Sequence, residues 1–125
     1  MNIDELTIKQ VKELTSFIAP INSVALHGAV GKKCVVRTYA SGVHFGEVVS
    51  VASNDGRSRC ELRNSRRIWS WDGAFTLSAV ATAGINKADS KVSVVTKAHF
   101  IEDAIEFIPA TQEAVDCIES MTAHE

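Results

Sequence analysis

The stretch Cys34-Val35-Val36-Arg37-Thr38-Tyr39-Ala40-Ser41-Gly42-Val43-His44-Phe45-Gly46-Glu47-Val48-Val49-Ser50-Val51 decides the fold. Its apolar residues recur with a period of two, the period of a strand with unlike faces. Residues 34–39 read as a first strand and Ala40-Ser41-Gly42 as a turn. Val43, Phe45, Val49 and Val51 then share one face of a long second strand, with Glu47 between them. Gly46 inside that strand signals a bend, a bulge or a close approach of backbone. Asn54-Asp55-Gly56 is a hairpin turn signal, so residues 58–62 return as a third strand and residues 67–71 form a fourth.

On the N-terminal side, Thr7 and Gln10 have capping-box spacing, and Leu6 and Val11 stand where a hydrophobic staple closes. Ile8, Val11, Leu14 and Ile18 keep helical spacing until Pro20, which predicts a helix over 4–18. Residues 19–31 read as a connector. On the C-terminal side, Asp72 is the expected N-cap of a helix over 74–81 that Gly84 closes. Residues 92–107 are rich in β-branched and aromatic side chains and supply one or two more strands, ended by Pro109. Thr111 caps a last helix whose apolar stripe is Val115, Ile118 and Met121.

These elements predict one α+β domain over residues 1–125. An N-terminal helix leads into a small, bent antiparallel β-sheet or partly closed barrel of Sm-like or SH3-like type, with an inserted helix after the fourth strand and a C-terminal helix. A small sandwich or a simple α+β sheet is the alternative. Small barrels with unpaired edges close them by association, so a homo-oligomer is expected.

The net charge of -2 gives no overall attraction to nucleic acid or membrane, but the charge is unevenly spread. Residues 57–67 hold five arginines and one acid, whereas residues 101–125 hold seven acids and no lysine or arginine. The acidic remainder makes a duplex DNA partner improbable, and the two segments are candidate complementary surfaces within or between chains. No signal peptide and no apolar run of membrane-spanning length is present, and Cys34, Cys60 and Cys117 read as buried thiols of a reducing compartment. A cytoplasmic protein with no membrane partner is expected.

No catalytic constellation stands out. Residues 28–33 imitate a phosphate loop, but Leu26 and Lys33 occupy positions that need Gly and Ser or Thr. His27, His44, His99 and His124 have no ligand spacing, so no metal and no cofactor is implied. The informative run is Arg66-Arg67-Ile68-Trp69-Ser70-Trp71, which holds both tryptophans. Strand periodicity puts Arg67, Trp69 and Trp71 on one face and Arg66, Ile68 and Ser70 on the other. Such a face is either a wall that stacks a base and grips its phosphate or a plug for the barrel. Arg63, Arg66 and Arg67 are candidate anion contacts or partners of the acidic segment, while Arg57 and Arg59 read as solvated. Arg37 and Tyr39 share one face of the first strand and join the wall if the strands are neighbours. His44, expected to be half exposed, completes the set.

Val36-Arg37-Thr38-Tyr39-Ala40-Ser41-Gly42-Val43, Gly46-Glu47-Val48-Val49-Ser50 and Leu62-Arg63-Asn64-Ser65-Arg66-Arg67-Ile68-Trp69-Ser70-Trp71, with Gly73-Ala74 and Leu77-Ser78, resemble a family of small proteins of tailed bacteriophages. The resemblance spans residues 33–110. It departs from the family at Ser70, where a further aromatic is expected, and brings no catalytic residues. It implies a phage or prophage source and expression in a bacterial host cytoplasm. Among small phage accessory proteins, one class sequesters cyclic or ADP-ribose-derived nucleotide immune signals as counter-defence, using aromatic and arginine side chains in symmetric oligomers. By that analogy the expected function is non-catalytic nucleotide sequestration, with Arg37, Tyr39, His44, Arg63, Arg66, Arg67, Trp69 and Trp71 as ligand contacts. The alternatives are an Sm-like ring for single-stranded nucleic acid, a protein-interaction or inhibitor module, and a nucleotide-cleaving enzyme using His44.

Overall fold

The computed structural model describes residues 27–54 and 56–124, so the helix expected over 4–18 lies outside the described residues. The chain forms an α+β fold with a five-stranded antiparallel sheet and, among the described residues, two helices. Strand β1 is Lys33–Thr38, β2 Val43–Asn54, β3 Arg57–Ser70, β4 Lys91–Val92 and β5 Thr96–Pro109. Helix α1 is Leu77–Ala83 and α2 is Gln112–Glu119. The third and fourth strands expected separately are one strand of 14 residues, so α1 follows the third strand. An extra residue is absorbed at Asn64, whose φ of 53° makes it the sole non-glycine with positive φ among the described residues. Asparagine tolerates that conformation better than most side chains.

Strand β1 pairs with β2 and β5, and β3 pairs with β2 and β5, so the pairings return on themselves. The sheet therefore has an inner and an outer face. Cys34 and Val36 of β1 point inward with Val48, Cys60, Leu62, Ile101 and Ala104. Val35 points outward with Phe45 and Ile68 against Val80 and Ala81 of α1 and Val115 and Ile118 of α2. Burial pushes the Cys34 and Cys60 thiols up to about 11, so both pack as neutral groups.

Two bulges decide which residues face which core. In β3, Leu62 is inward and Ile68 outward although they are an even number apart; the extra residue at Asn64 reverses the alternation. In β2 the pairing shifts between Val48 and Ser50. As a result Val43 and Phe45 join the outer core while Val51 packs on the inner one, correcting the expectation of one shared face. Gly46 is where β2 and β3 come closest: a Cβ there would lie 2.9 Å from Ser65 Cβ and 3.3 Å from Arg63 O. The close approach expected at this glycine is present.

Helix α1 starts later than expected. The Asp72 N–H donates to Ser90 Oγ at 3.0 Å, and its carbonyl accepts from Asn86 N at 2.8 Å, so Asp72 anchors a loop. Thr76 caps the helix instead, accepting from Ala79 N, and Gly84 closes it with φ 86°. Helix α2 begins at the expected Thr111 cap, and Val115, Ile118 and Met121 are buried. Among the described residues no helix is long and apolar enough to cross a membrane.

Candidate functional site

The inner apolar core ends in polar side chains. Cross-strand partners share a face, so His44, opposite Val36 and Arg67, and His99, opposite Leu62, both lie on the inward side. Beyond them opens a cleft of about 500 Å³. Ser65 and His99 are at its floor, Arg67 and Trp69 along one wall, and Ser93, Val94, Thr96 and His124 around the rest. Trp69 is 51% exposed. The Lys91 ammonium lies 5.2 Å from its ring centroid, and the His124 ring packs at 5.8 Å. Main-chain ties keep this wall in place: Arg67 N donates to Ser93 Oγ at 2.8 Å and Ser93 N to Arg67 O at 2.9 Å. His124 N donates to Val92 O at 2.9 Å, which fixes the C-terminal segment at the rim.

His44 is fully buried, which corrects its expected half exposure. Its place on the inner face, with the His99 ring edge-on at 4.8 Å, removes it from solvent. His44 Nε2 is 3.1 Å from Ser41 O; a carbonyl only accepts, so Nε2 carries the proton. Nδ1 is buried without a hydrogen-bond partner among the described residues. Burial, then the charges of His99 and Arg67, push the His44 pKa down to about 4, against smaller opposing effects of Ser41 and Asp103. His99 is held below the ordinary histidine value by burial and then by Arg67. Its Nδ1 is 3.1 Å from Ser65 Oγ.

The remaining sequence candidates are dispersed. Arg66 is buried, 4% exposed, on the outer side of β3. Its Nε donates to Ser93 O at 2.9 Å, and one terminal nitrogen donates to Ile118 O at 3.0 Å and Met121 O at 2.7 Å. These carbonyls include those left open at the end of α2, so Arg66 is a helix C-terminal clamp and not a phosphate contact. Trp71 lies past the end of β3 and packs against the outer core, away from Trp69. Arg37 pairs with Glu106 at 3.0 Å, and the Tyr39 ring lies under the Arg57 guanidinium at 4.3 Å. Strand β1 is a neighbour of β2 and β5, not of β3, so Arg37 and Tyr39 do not join the Arg67–Trp69 wall. Arg63 is exposed, faces Glu47 in the ladder, and is not part of the cleft lining. The acidic segment is paired within the chain, through Lys33–Glu119, Arg37–Glu106 and Arg59–Glu102. Arg59, expected to be solvated, is one of those partners, and the pair is exposed.

Of the eight candidates the cleft therefore gathers Arg67 and Trp69, with His44 directly behind its floor. It adds Ser65, His99, His124, Ser93 and Thr96, which sequence reasoning missed. His99 had a readable signal, since it stands two residues before the buried Ile101 and shares its face. Ser65 had a weaker one, in the Asn64 bulge facing Gly46.

Chemically, the cleft offers one fixed cation, two imidazoles, three hydroxyls and a half-exposed indole, with no carboxylate among the described residues that line it. That set suits an anion joined to a flat ring. A Ser–His contact is also the beginning of a nucleophilic pair. Ser65 is 1% exposed, and among the described residues no carboxylate hydrogen-bonds His99. Among the described residues no group of three or more His, Cys, Asp or Glu is placed to hold a metal.

The family described as Domain of unknown function (DUF6948) matches residues 31–118, and the chain belongs to that family. No curated protein and no solved structure matches the chain.

Proposed function

We propose that this protein binds and sequesters a nucleotide without transforming it, and that the ligand is a cyclic or ADP-ribose-derived immune signal. The observation that carries this reading is the wall of the cleft, where Arg67 and the half-exposed Trp69 stand side by side over a floor that, among the described residues, carries no carboxylate. An indole face stacks a base, a guanidinium fork takes a phosphate, and the hydroxyls of Ser65, Ser93 and Thr96 supply neutral hydrogen bonds. The cleft volume lies in the range of small-ligand sites. The bacteriophage setting, the counter-defence role and the Sm-like or SH3-like identity of the barrel belong to the same reading and rest on the sequence resemblance. Association of copies is part of it too: Val94 at the cleft and Val95 next to it in sequence expose apolar side chains, the kind of surface a second copy covers.

Calorimetry with cyclic dinucleotides, cyclic trinucleotides and cyclic ADP-ribose isomers tests the proposal. A sequestering protein outcompetes a receptor, so at least one ligand binds more tightly than about 10 μM. Arg67→Ala and Trp69→Ala each abolish that binding. Weaker binding across the whole panel contradicts the reading, and steep salt dependence with long single strands in its place identifies a nucleic-acid surface.

A further inference from the structure

We propose that Ser65 and His99 form the anion-binding floor of the cleft, and that a phosphate-bearing ligand bound there takes up one proton with it. The inference deepens the nucleotide reading and rests on it only for the identity of the ligand.

In the neutral tautomer of His99 that carries its proton on Nε2, Nδ1 is an acceptor, and the Ser65 hydroxyl 3.1 Å away spends its single proton on that nitrogen. In this state Ser65 presents only lone pairs to the cleft and repels an anion. Protonation of Nδ1 reverses the bond: Nδ1–H donates to Ser65 Oγ, and the serine proton is free to turn toward a ligand oxygen. One proton from solvent thus creates a positive ring and a new donor, both at the floor.

The surroundings decide when this happens. Arg67 faces His99 from β3, His44 lies edge-on from β2, and His124 stands across the cleft at the rim. Among the described residues no carboxylate lines the cleft, so none of them stabilises a charged His99 while it is empty. Burial and Arg67 hold the ring neutral, and His44 behind it is neutral as well. An anion in the cleft offsets both effects: its charge compensates Arg67 and pairs with the imidazolium. Ligand and proton therefore bind together.

The test is calorimetry on the full chain with 3′,5′-cyclic AMP, adenosine and inorganic sulfate between pH 6 and 8. A phosphodiester and sulfate do not titrate in that range, so any proton taken up belongs to the protein. Measurements in buffers of different ionisation heat count protons on the wild-type chain without any variant. The expected result is uptake approaching one proton and affinity for cyclic AMP rising roughly thirtyfold from pH 8 to pH 6. His99→Gln and His99→Asn lose this dependence, His124→Gln keeps it, and adenosine shows none. Ser65→Ala weakens anion binding several-fold while keeping part of the pH dependence. Cyclic AMP bound with no proton uptake overturns the inference and leaves the nucleotide reading intact. Sulfate bound with proton uptake while neither cyclic AMP nor adenosine binds supports the anion floor, and the cyclic-nucleotide panel then decides the nucleotide reading. If none of the three binds at any pH, the anion floor is overturned.

Discussion

The layer between the sheet and the two helices, and the cleft beyond the inner core, each carry an arginine and an indole from the same six-residue run. In the layer, Arg66 is buried with its donors on three carbonyls, and Trp71 packs against Val80, Val115 and their neighbours. In the cleft, Arg67 is exposed and Trp69 stands half open beside it. The residue types are the same, and what separates them is whether backbone acceptors are already waiting. Where the open end of α2 meets β3, an arginine becomes part of the fold. On the opposite face, where neighbouring hydroxyls and main chain pair with one another, it stays exposed.

Replacing each arginine is the sharpest way to break this comparison. Arg66→Met leaves three carbonyls without their charged donor and costs roughly 3–5 kcal/mol, whereas Arg67→Met stays within about 0.5 kcal/mol. Urea unfolding at neutral pH measures both, and equal costs would erase the distinction.

The second contrast is in acid. His44 is neutral in the folded chain with its pKa pushed down to about 4, while the unfolded side chain titrates at the ordinary value of 6.5. The unfolded state then holds more protons between those values. The stability that a neutral His44 provides is complete above pH 6.5 and is lost as pH falls toward 4, by ~3 kcal/mol. His44→Leu flattens this part of the pH–stability curve, and a wild-type curve of the same slope as the variant's contradicts the burial argument.

The smallest expected difference is between the indoles. Trp71→Ala removes packing from the outer core and costs roughly 2 kcal/mol, while Trp69→Ala costs less than about 1 kcal/mol. Thermal unfolding of the two variants ranks them, and the reverse order would exchange their roles.

Much of this comparison is legible in the sequence. The period of two separates Arg67 and Trp69 from Arg66 and Ile68, and the strands, the Thr111 cap and the Gly84 stop follow from local chemistry. Burial depth is not legible in the same way. Whether Arg66 is solvated or clamped depends on carbonyls at the end of α2, more than fifty residues away in the chain. His44 is covered because β2 lies between β1 and β3 with His99 brought over it, a fact of pairing that no local pattern contains. The Arg37–Tyr39 pair fails to join the wall for the same reason, since strand order is set by which edges meet. The bulges at Asn64 and Val49 redirect side chains along β3 and β2, and only Gly46 and Asn64 hint at them in advance.

The central claim is that the cleft beside Trp69, and not the layer holding Trp71, receives the ligand. A proton–nitrogen NMR titration of the two indole N–H signals with 3′,5′-cyclic AMP, assigned through Trp71→Phe, addresses it directly. The account predicts that the Trp69 signal moves progressively to saturation while the Trp71 signal stays in place. A Trp71 signal that moves as far as that of Trp69, or a Trp69 signal that never moves, would contradict it.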